Sequence, residues 1–287
     1  MTSPEDNPFK LHFDRIIDQI NDLPALPSIA QDLAKSHGDN EDDINYFTQQ
    51  ISLDQALSAK TLRFANSSFY GVQTKITTIR QAITLIGIDA VRHVITANSL
   101  TTYFPANGCV GFDFMALWRH AVATAVCARV LARQLHLNQD YAFTAGLLHD
   151  IGRLVLATHF RSEYEKVIAY RNQHDCQWLD AEHAIIGIDH AMVGAELASH
   201  WNFAQIIQNA ILYHHVPEQR KDCALSSLIN VANAIVQALD LSGQEDDLVS
   251  PISEVAWHAM GLDEAAYQLV FHDTELMFEE VSQVLLT

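Results

Sequence analysis

Two side chains that bind metals and transfer protons stand next to each other in an otherwise apolar stretch. The decapeptide AGLLHDIGRL, residues 145–154, has His149 and Asp150 at its centre. Imidazole and carboxylate are suitable ligands for Fe, Mn, Zn or Ni once both are deprotonated. On a regular helix consecutive side chains point about 100° apart, so the pair reaches one ion across the helix surface or two ions side by side. Gly146 and Gly152 flank the pair without a Cβ, which would let neighbouring helices approach closely.

The residues alone leave two interpretations of this pair open. It is either a metal site or a hydrogen-bonded polar pair buried for packing, and an isolated dipeptide favours packing. Ten of the fifteen histidines fall between residues 120 and 215. Four of them lie in apolar helical contexts, namely His120, His190, His214 and His215. No short HExxH-type spacing links these histidines. The sequence does not decide whether His183 is buried or exposed, and most of the remaining histidines are expected at the surface.

Composition limits the classes of function. The chain has 287 residues, 49% of them hydrophobic, and carries 17 Lys and Arg against 35 Asp and Glu, a net charge of −18. Such an acidic surface repels polyanions, so we expect neither general nucleic-acid binding nor binding to anionic membranes. The four cysteines form no CxxC pair, and we expect reduced thiols, no membrane span and a cytoplasmic location. GxSxG, Walker A and dinucleotide GxGxxG motifs are absent from the sequence.

The elements that must position these side chains are predicted to be helices throughout, since 11 Gly and 7 Pro leave long apolar-periodic segments. In the first part we predict helices at residues 28–30, 44–51, 79–86 and 91–100, with Asp54 capping another. Segment 101–112 is the best linker candidate. Beyond it we predict helices near 113–136, 139–160, 162–173, 189–200, 204–214 and 224–240, then a C-terminal pair. We therefore predict an all-α chain with a helical N-terminal lobe (1–110), a second helical lobe (111–241) and a helical extension (242–287).

The order of these motifs resembles a known family. His120, then GLLHDIG (146–152), then His190 and the His214–His215 pair resemble the HD superfamily of metal-dependent phosphohydrolases. LPALP (23–27), SLDQAL (52–57), RFANSSFYG (63–71) and IRQAITLIG (79–87) resemble the HDOD domain, the HD-related output domain of bacterial signalling proteins. The resemblance covers roughly residues 15–240 and implies an all-α fold whose second lobe is an HD-like bundle.

The resemblance also implies a set of metal ligands. His120, His149 and Asp150 match the first members of the HD set, and His190 matches the third histidine of the related HD-GYP phosphodiesterases. His214 and His215 match the histidine pair of that branch. The implied cofactor is one or two divalent transition-metal ions, Fe, Mn, Ni or Zn. Two departures argue against catalysis: Asn233 stands where the set closes with an aspartate, and VPEQR (216–220) replaces the GYP motif.

Two functions follow from the resemblance. The first is a non-catalytic signalling module that retains the metal site and binds a partner protein or a small phosphorylated effector. The second is a working metal-dependent phosphohydrolase, in which Asp150 would orient or bridge the metal and Arg153 would contact a substrate phosphate. The sequence leaves open whether the C-terminal segment covers the site.

Overall fold

The computed structural model describes residues 10–23, 41–104, 108–220, 222–244 and 247–286. Within these ranges the chain is helical and contains no strand, which confirms the all-α prediction. The predicted helix at 28–30 lies outside the described residues. The N-terminal part contains α1 (Phe13–Asn21), α2 (Glu41–Ser52), α3 (Gln55–Ala65), α4 (Ile79–Ile86) and α5 (Ile88–Tyr103).

Side-chain caps fix where these helices begin. Asp54 accepts a hydrogen bond of 3.0 Å from the Leu57 N–H at the start of α3, as predicted. Thr78 and Gln81 form a capping box at the start of α4. Helix α5 runs to Tyr103, so the predicted linker begins inside a helix rather than after it.

The second part of the chain builds the bundle that carries the histidines. It contains α6 (Phe114–Gln134), α7 (Gln139–Leu148), α8 (Ile151–His159), α9 (Arg161–His174), α10 (Trp178–Ile185), α11 (His190–His200), α12 (Gln205–Tyr213) and α13 (Ala224–Ala238). The predicted C-terminal pair is α14 (Glu254–Met260) and α15 (Glu264–Leu285). The prediction of a single helix over residues 139–160 was wrong, because the helix breaks at His149 and Asp150, between α7 and α8. Helix α10 was not predicted.

Helix α6 is the centre of the bundle. By its length and apolarity alone, this helix (Phe114–Gln134) could cross a membrane. However, 83% of its most apolar window is buried inside the protein. Helices α7, α13 and α15 pack around it. One buried hydrophobic cluster reaches from Leu11 to Leu285 and draws on all three predicted segments. The division at residues 110 and 241 stays a prediction.

Candidate metal centre

The break between α7 and α8 brings His149 and Asp150 together. His149 still has helical dihedral angles, whereas Asp150 leaves the helical region with φ −100° and ψ 11°. Asp150 Oδ1 consequently lies 3.5 Å from His149 Nε2. The two side chains therefore converge on one point, instead of diverging as they would on a continuous helix.

Four other histidines converge on the same point from three helices. His120 lies in the middle of α6, His190 opens α11, and His214 and His215 follow the last turn of α12. The potential ligand atoms form two groups, each with all its atoms within 4.8 Å of one another. The first group is His120, His149 and Asp150, and the second is Asp150, His190, His214 and His215.

Asp150 belongs to both groups and lies between them. Its Oδ1 is 3.2 Å from His190 Nε2 and 3.7 Å from His214 Nε2. Asp150 is 7% exposed, and the His149 and His214 side chains are fully buried. All six residues singled out from the sequence as metal ligands are thus neighbours in space.

Hydrogen bonds at the far side of three rings leave Nε2 free to act as a ligand. His149 Nδ1 donates to the Gly146 carbonyl at 2.7 Å, and His214 Nδ1 donates to the Ile211 carbonyl at 2.6 Å. His190 Nδ1 donates to the Glu182 carboxylate at 2.6 Å. Metal-binding histidines are typically held in this way, with the second N–H bonded to a carbonyl or carboxylate. The neutral rings of His149 and His214 then present their Nε2 lone pairs towards Asp150.

The contacts inside the cluster fit a bound cation. His120 Nε2 is 3.2 Å from His149 Nε2, and His190 Nε2 is 2.9 Å from His215 Nε2. Two nitrogens bound to one ion at about 2.1 Å lie about 3.0–3.4 Å apart, for right-angle to tetrahedral coordination. His214 Nε2 is buried and has no hydrogen-bond partner. Buried ring nitrogens this close together need either a ring proton or a bound cation between them.

Burial keeps most of these rings neutral. Desolvation lowers the pKa of His120 and of His149 to about 4, and that of His214 to about 3. His190 differs, because the carboxylates of Glu182 and Asp150 outweigh its burial and raise its pKa to about 10. Neutral imidazole is the form that binds a metal, so most of the cluster is in the ligating state at neutral pH.

Asn233 occupies the cleft side of α13 beside the first group. Its side chain interacts with the His120 ring, and its Nδ2 donates to Ser250 Oγ at 3.3 Å. Its Oδ1 is buried and has no hydrogen-bond partner. An amide oxygen is a neutral ligand, so the carboxylate charge that the resemblance implies at this position is missing.

Arg153 stands beside Asp150 rather than in open solvent. Its Nη1 donates to Asp150 Oδ2 at 3.2 Å, and its guanidinium lies 4.1 Å from the centre of the Trp178 ring. A buried and stacked guanidinium is preorganised to bind a carboxylate or a phosphate group. Arg153 borders the cleft together with Asp150, as its predicted role requires.

Sequence reasoning missed Glu182, the residue that holds His190. Glu182 is fully buried and also accepts from the His190 backbone N–H at 2.9 Å. Tyr164 OH donates to its second oxygen at 3.0 Å and accepts from Arg153 Nε at 3.3 Å. A chain of contacts therefore links His190 to Arg153 and back to Asp150. No spacing rule pointed to Glu182, because it lies on the unpredicted helix α10.

The histidines expected elsewhere lie outside the cluster. The ring of His183 is half exposed and contacts Asp189 at 2.8 Å, the residue that caps α11. None of the expected surface histidines that the structure describes is buried: His12, His136, His159, His174, His200, His258 and His272. His37 lies outside the described residues. His93 was overlooked and is buried against Phe143, with 4.3 Å between ring centroids.

The two glycines beside the pair allow the helix contacts that the sequence suggested. A Cβ on Gly146 would lie 2.7 Å from Ala125 Cα in α6. A Cβ on Gly152 would lie 2.0 Å from the His190 carbonyl oxygen and 2.7 Å from Gly194 N in α11. Gly152 therefore sets the distance between the helix that follows Asp150 and the helix that begins with His190.

A cleft of about 120 Å³ lies over the cluster. His120, Asp150, Arg153 and Trp178 line its floor and wall, and its other side is lined by Gln244, Asp247, Ser250 and Pro251. Ligand-binding pockets for drug-sized molecules usually measure about 300–1,000 Å³. The cleft is therefore smaller than such a pocket while Asp247, Ser250 and Pro251 hold this position.

Comparison with known proteins places this geometry in context. The HDOD domain family matches residues 23–217. An uncharacterized protein of Treponema pallidum is 25% identical over 234 residues, which make up 78% of this chain and 44% of the Treponema protein. The chain therefore spans less than half of the length of that relative.

Two crystal structures share the fold over nearly the whole chain. An HDOD domain protein of unknown function from Geobacter sulfurreducens has a TM-score of 0.79 at 23% identity, covering 95% of this chain and 99% of that one. A protein of Shewanella amazonensis SB2B, named as a candidate phosphohydrolase, has a TM-score of 0.72 at 24% identity, covering 94% and 97%. At these identities the structures establish the fold.

Proposed function

Because the chain belongs to the HDOD domain family, we propose that it is a bacterial signal-transduction output module that binds divalent transition-metal ions and does not turn over a substrate. One observation carries the metal part of the proposal. Five imidazoles and one carboxylate converge, and three of the rings are oriented from behind so that Nε2 faces Asp150. A packing role alone would not require buried lone pairs to face one another.

The residues divide the task between the two groups. His120 and His149 would hold an ion on one side of Asp150, with the Asn233 amide beside them. His190, His214 and His215 would hold an ion on the other side. Imidazole with carboxylate suits Fe, Mn, Ni or Zn. A bound ion of this kind supplies Lewis acidity and lowers the pKa of a coordinated water.

Two features favour a regulatory role over turnover. Asn233 contributes no charge where a carboxylate would strengthen the metal site. The cleft over the cluster measures about 120 Å³, which leaves little room for a substrate. We propose that the signal leaves the module through a partner protein or a small phosphorylated effector. The net charge of −18 makes nucleic acid and anionic membranes poor general partners, and four free cysteines are compatible with a cytoplasmic location.

Arg153 is the observation that favours the alternative, a metal-dependent phosphohydrolase. Its guanidinium lies next to Asp150 and borders the cleft, where it could bind a phosphoryl oxygen. In that mechanism Asp150 would hold the metal and Arg153 would orient the phosphate. The name given to the Shewanella amazonensis protein points to the same activity.

Metal content and hydrolysis measured on the same samples separate the two functions. Purified full-length chain, dialysed against Mn²⁺ and then against buffer, is expected to retain one or two ions. Asp150→Ala is expected to lose them, and Asp175→Asn, an exposed substitution between α9 and α10, is expected to retain them. Circular dichroism confirms that each variant is folded.

Neither wild type nor variant is expected to hydrolyse a panel of phosphomonoesters and phosphodiesters. Hydrolysis by the wild type that disappears in Asp150→Ala would establish the alternative function. A folded wild type with no bound transition metal would overturn both.

A further inference from the structure

A segment between α13 and α14 closes the cleft over the metal cluster. We call residues 241–244 and 247–253 the strap. Gln244, Asp247, Ser250 and Pro251 line the cleft from the side opposite the histidines. Neither the HD-like ligand set nor the proposed metal binding needs this segment, and no sequence motif indicated its position.

Three amide side chains on one face of α13 hold the far end of the strap. Asn230 Oδ1 accepts from the Ser253 N–H at 3.0 Å, and Gln237 Oε1 accepts from the Ser250 N–H at 2.7 Å. Asn233 Nδ2, between them, donates to Ser250 Oγ at 3.3 Å. Residues three, four and seven positions apart share a helix face, so these amides form a row under the strap.

Two further side chains hold the strap across the cleft. Arg119 in α6 donates from Nε to the Ser242 carbonyl and from Nη2 to the Leu241 carbonyl, both at 3.2 Å. Gln177, which precedes α10, donates to the Val249 carbonyl at 3.1 Å. The strap is thus hydrogen-bonded to three separate parts of the chain around the metal cluster, and these bonds hold it in the closed position.

Asp247 is the charged residue that the strap places in the cleft. Ser242 Oγ donates to its carboxylate at 3.4 Å. Burial raises the pKa of Asp247, the Arg153 charge opposes that rise, and the Asp150 charge adds to it. Asp247 lines the same cleft as Arg153 and Asp150, and its carboxylate is not among the atoms that could hold a metal. A carboxylate in this cleft that is not a metal ligand can balance the positive charge of Arg153.

We propose that the cleft contains a binding position for a phosphate or phosphoester group beside Arg153, and that the Asp247 carboxylate on the strap fills this position in the closed state. A phosphorylated ligand would compete with Asp247 and displace the strap. The neutral Asn233 fits this arrangement, because an aspartate there would add a third carboxylate next to Asp150 and Asp247. The inference rests on the proposed function for the place where the ligand binds. Its test measures phosphate binding and does not depend on the metal.

Phosphate binding by charge-matched variants tests the competition. Inorganic phosphate is titrated calorimetrically into the full chain, both metal-free and after loading with Mn²⁺ and removal of the excess. Asp247→Asn keeps the shape of the side chain and removes its charge, and is expected to bind phosphate about tenfold more tightly than wild type. Asp240→Asn is the control, since Asp240 is exposed and its φ of 52° suits asparagine.

Hydrogen exchange tests the movement of the strap. In the wild type, the amides of Ser250 and Ser253 are expected to exchange slowly, because both N–H groups are bonded to α13. Saturating phosphate should accelerate their exchange about tenfold or more. Gln237→Leu removes the acceptor for Ser250 and is expected to loosen the strap and strengthen phosphate binding without any change at Asp247.

Equal phosphate affinity in wild type, Asp247→Asn and Asp240→Asn would overturn the inference, as would the absence of phosphate binding in all three. Fast exchange of the Ser250 and Ser253 amides in the ligand-free wild type would overturn it as well. The Mn²⁺ content of the same samples reports separately on the proposed function. Tighter phosphate binding by Asp247→Asn in protein that retains no Mn²⁺ would leave the strap inference intact and remove the metal centre.

Discussion

Replacing Gly152 by alanine sets helix propensity against packing at the centre of the site. Alanine is a better helix former than glycine by about 1 kcal/mol, so local propensity alone predicts a more stable protein. The added Cβ, however, would lie 2.0 Å from the His190 carbonyl oxygen, where an ordinary contact begins at 3.4 Å. Neither the Cβ nor the carbonyl oxygen can rotate away, because their positions are fixed by the backbone. Helices α8 and α11 must therefore separate by about 1.4 Å.

That separation should cost more than propensity returns. Overpacking a well-packed interior costs about 1–3 kcal/mol, and a contact with backbone that cannot rotate away belongs at the upper end. We expect a net Tm lowered by about 4–8 °C, at about 2–4 °C per kcal/mol for a chain of this size. The 3.2 Å distance between His190 Nε2 and Asp150 Oδ1 would grow as well. We therefore expect Mn²⁺ affinity to fall by about 100-fold.

Thermal unfolding with and without Mn²⁺ measures both effects in one assay. At 100 times its Kd, a bound ion raises the stability of the wild type by about 2.7 kcal/mol, and at the same concentration this increment should fall to about 0.4 kcal/mol in Gly152→Ala. Gly194→Ala is the matched control at the same interface, because its Cβ would lie 3.1 Å from Gly152 N and needs only a few tenths of an ångström. A Gly152→Ala protein with wild-type Tm and Mn²⁺ affinity would refute the reasoning.

Two further predictions concern buried groups that the sequence did not reveal. Glu182→Gln keeps an acceptor for the His190 ring but removes the negative charge. The Mn²⁺ affinity measured by calorimetry is therefore expected to fall about 10–100-fold. The control Glu196→Gln, on the same helix as His190, should leave this affinity unchanged. Burial lowers the pKa of His93 to about 3, below its unfolded value of 6.5, so stability is lost as pH falls from 6.5 towards 3. At pH 5 the loss is about 2 kcal/mol. In urea unfolding, His93→Phe should therefore lose about 2 kcal/mol less than wild type between pH 7.5 and pH 5, and equal losses would contradict the buried neutral ring.

The helices that pack through a regular apolar face could be predicted from the sequence. The bounds of α6 and α13 lie within two residues of the prediction, and the Asp54 cap lies where it was expected. The closeness of the helices at Gly146 and Gly152 was also predictable, since an absent Cβ in an apolar stretch has few other uses.

The break at His149 and Asp150 could not be predicted from the local sequence. The residues around it are apolar and include no proline, so a periodic pattern continues through them. At the break, the two side chains meet His120, His190 and His214, which other parts of the chain supply. Convergence of five imidazoles on one carboxylate is a tertiary property, and only the order of motifs along the chain indicated it.

Glu182 and the strap escaped prediction for a related reason. Helix α10 is short, so its pattern is weak, and Glu182 looks like an ordinary surface acid until Tyr164 and His190 are packed against it. Asp247 lies in a polar segment that reads as a loop. Its position depends on bonds from α13 to the neighbouring serines.

Anomalous X-ray diffraction tests the central claim most directly. Crystals of the full chain grown with Mn²⁺ are measured above and below the manganese absorption edge. The account predicts at least one anomalous peak within about 2.0–2.3 Å of Asp150 Oδ1 and of histidine ring nitrogens in the cluster. A well-ordered cluster with no anomalous peak at saturating Mn²⁺, or peaks found only elsewhere on the protein, would contradict it.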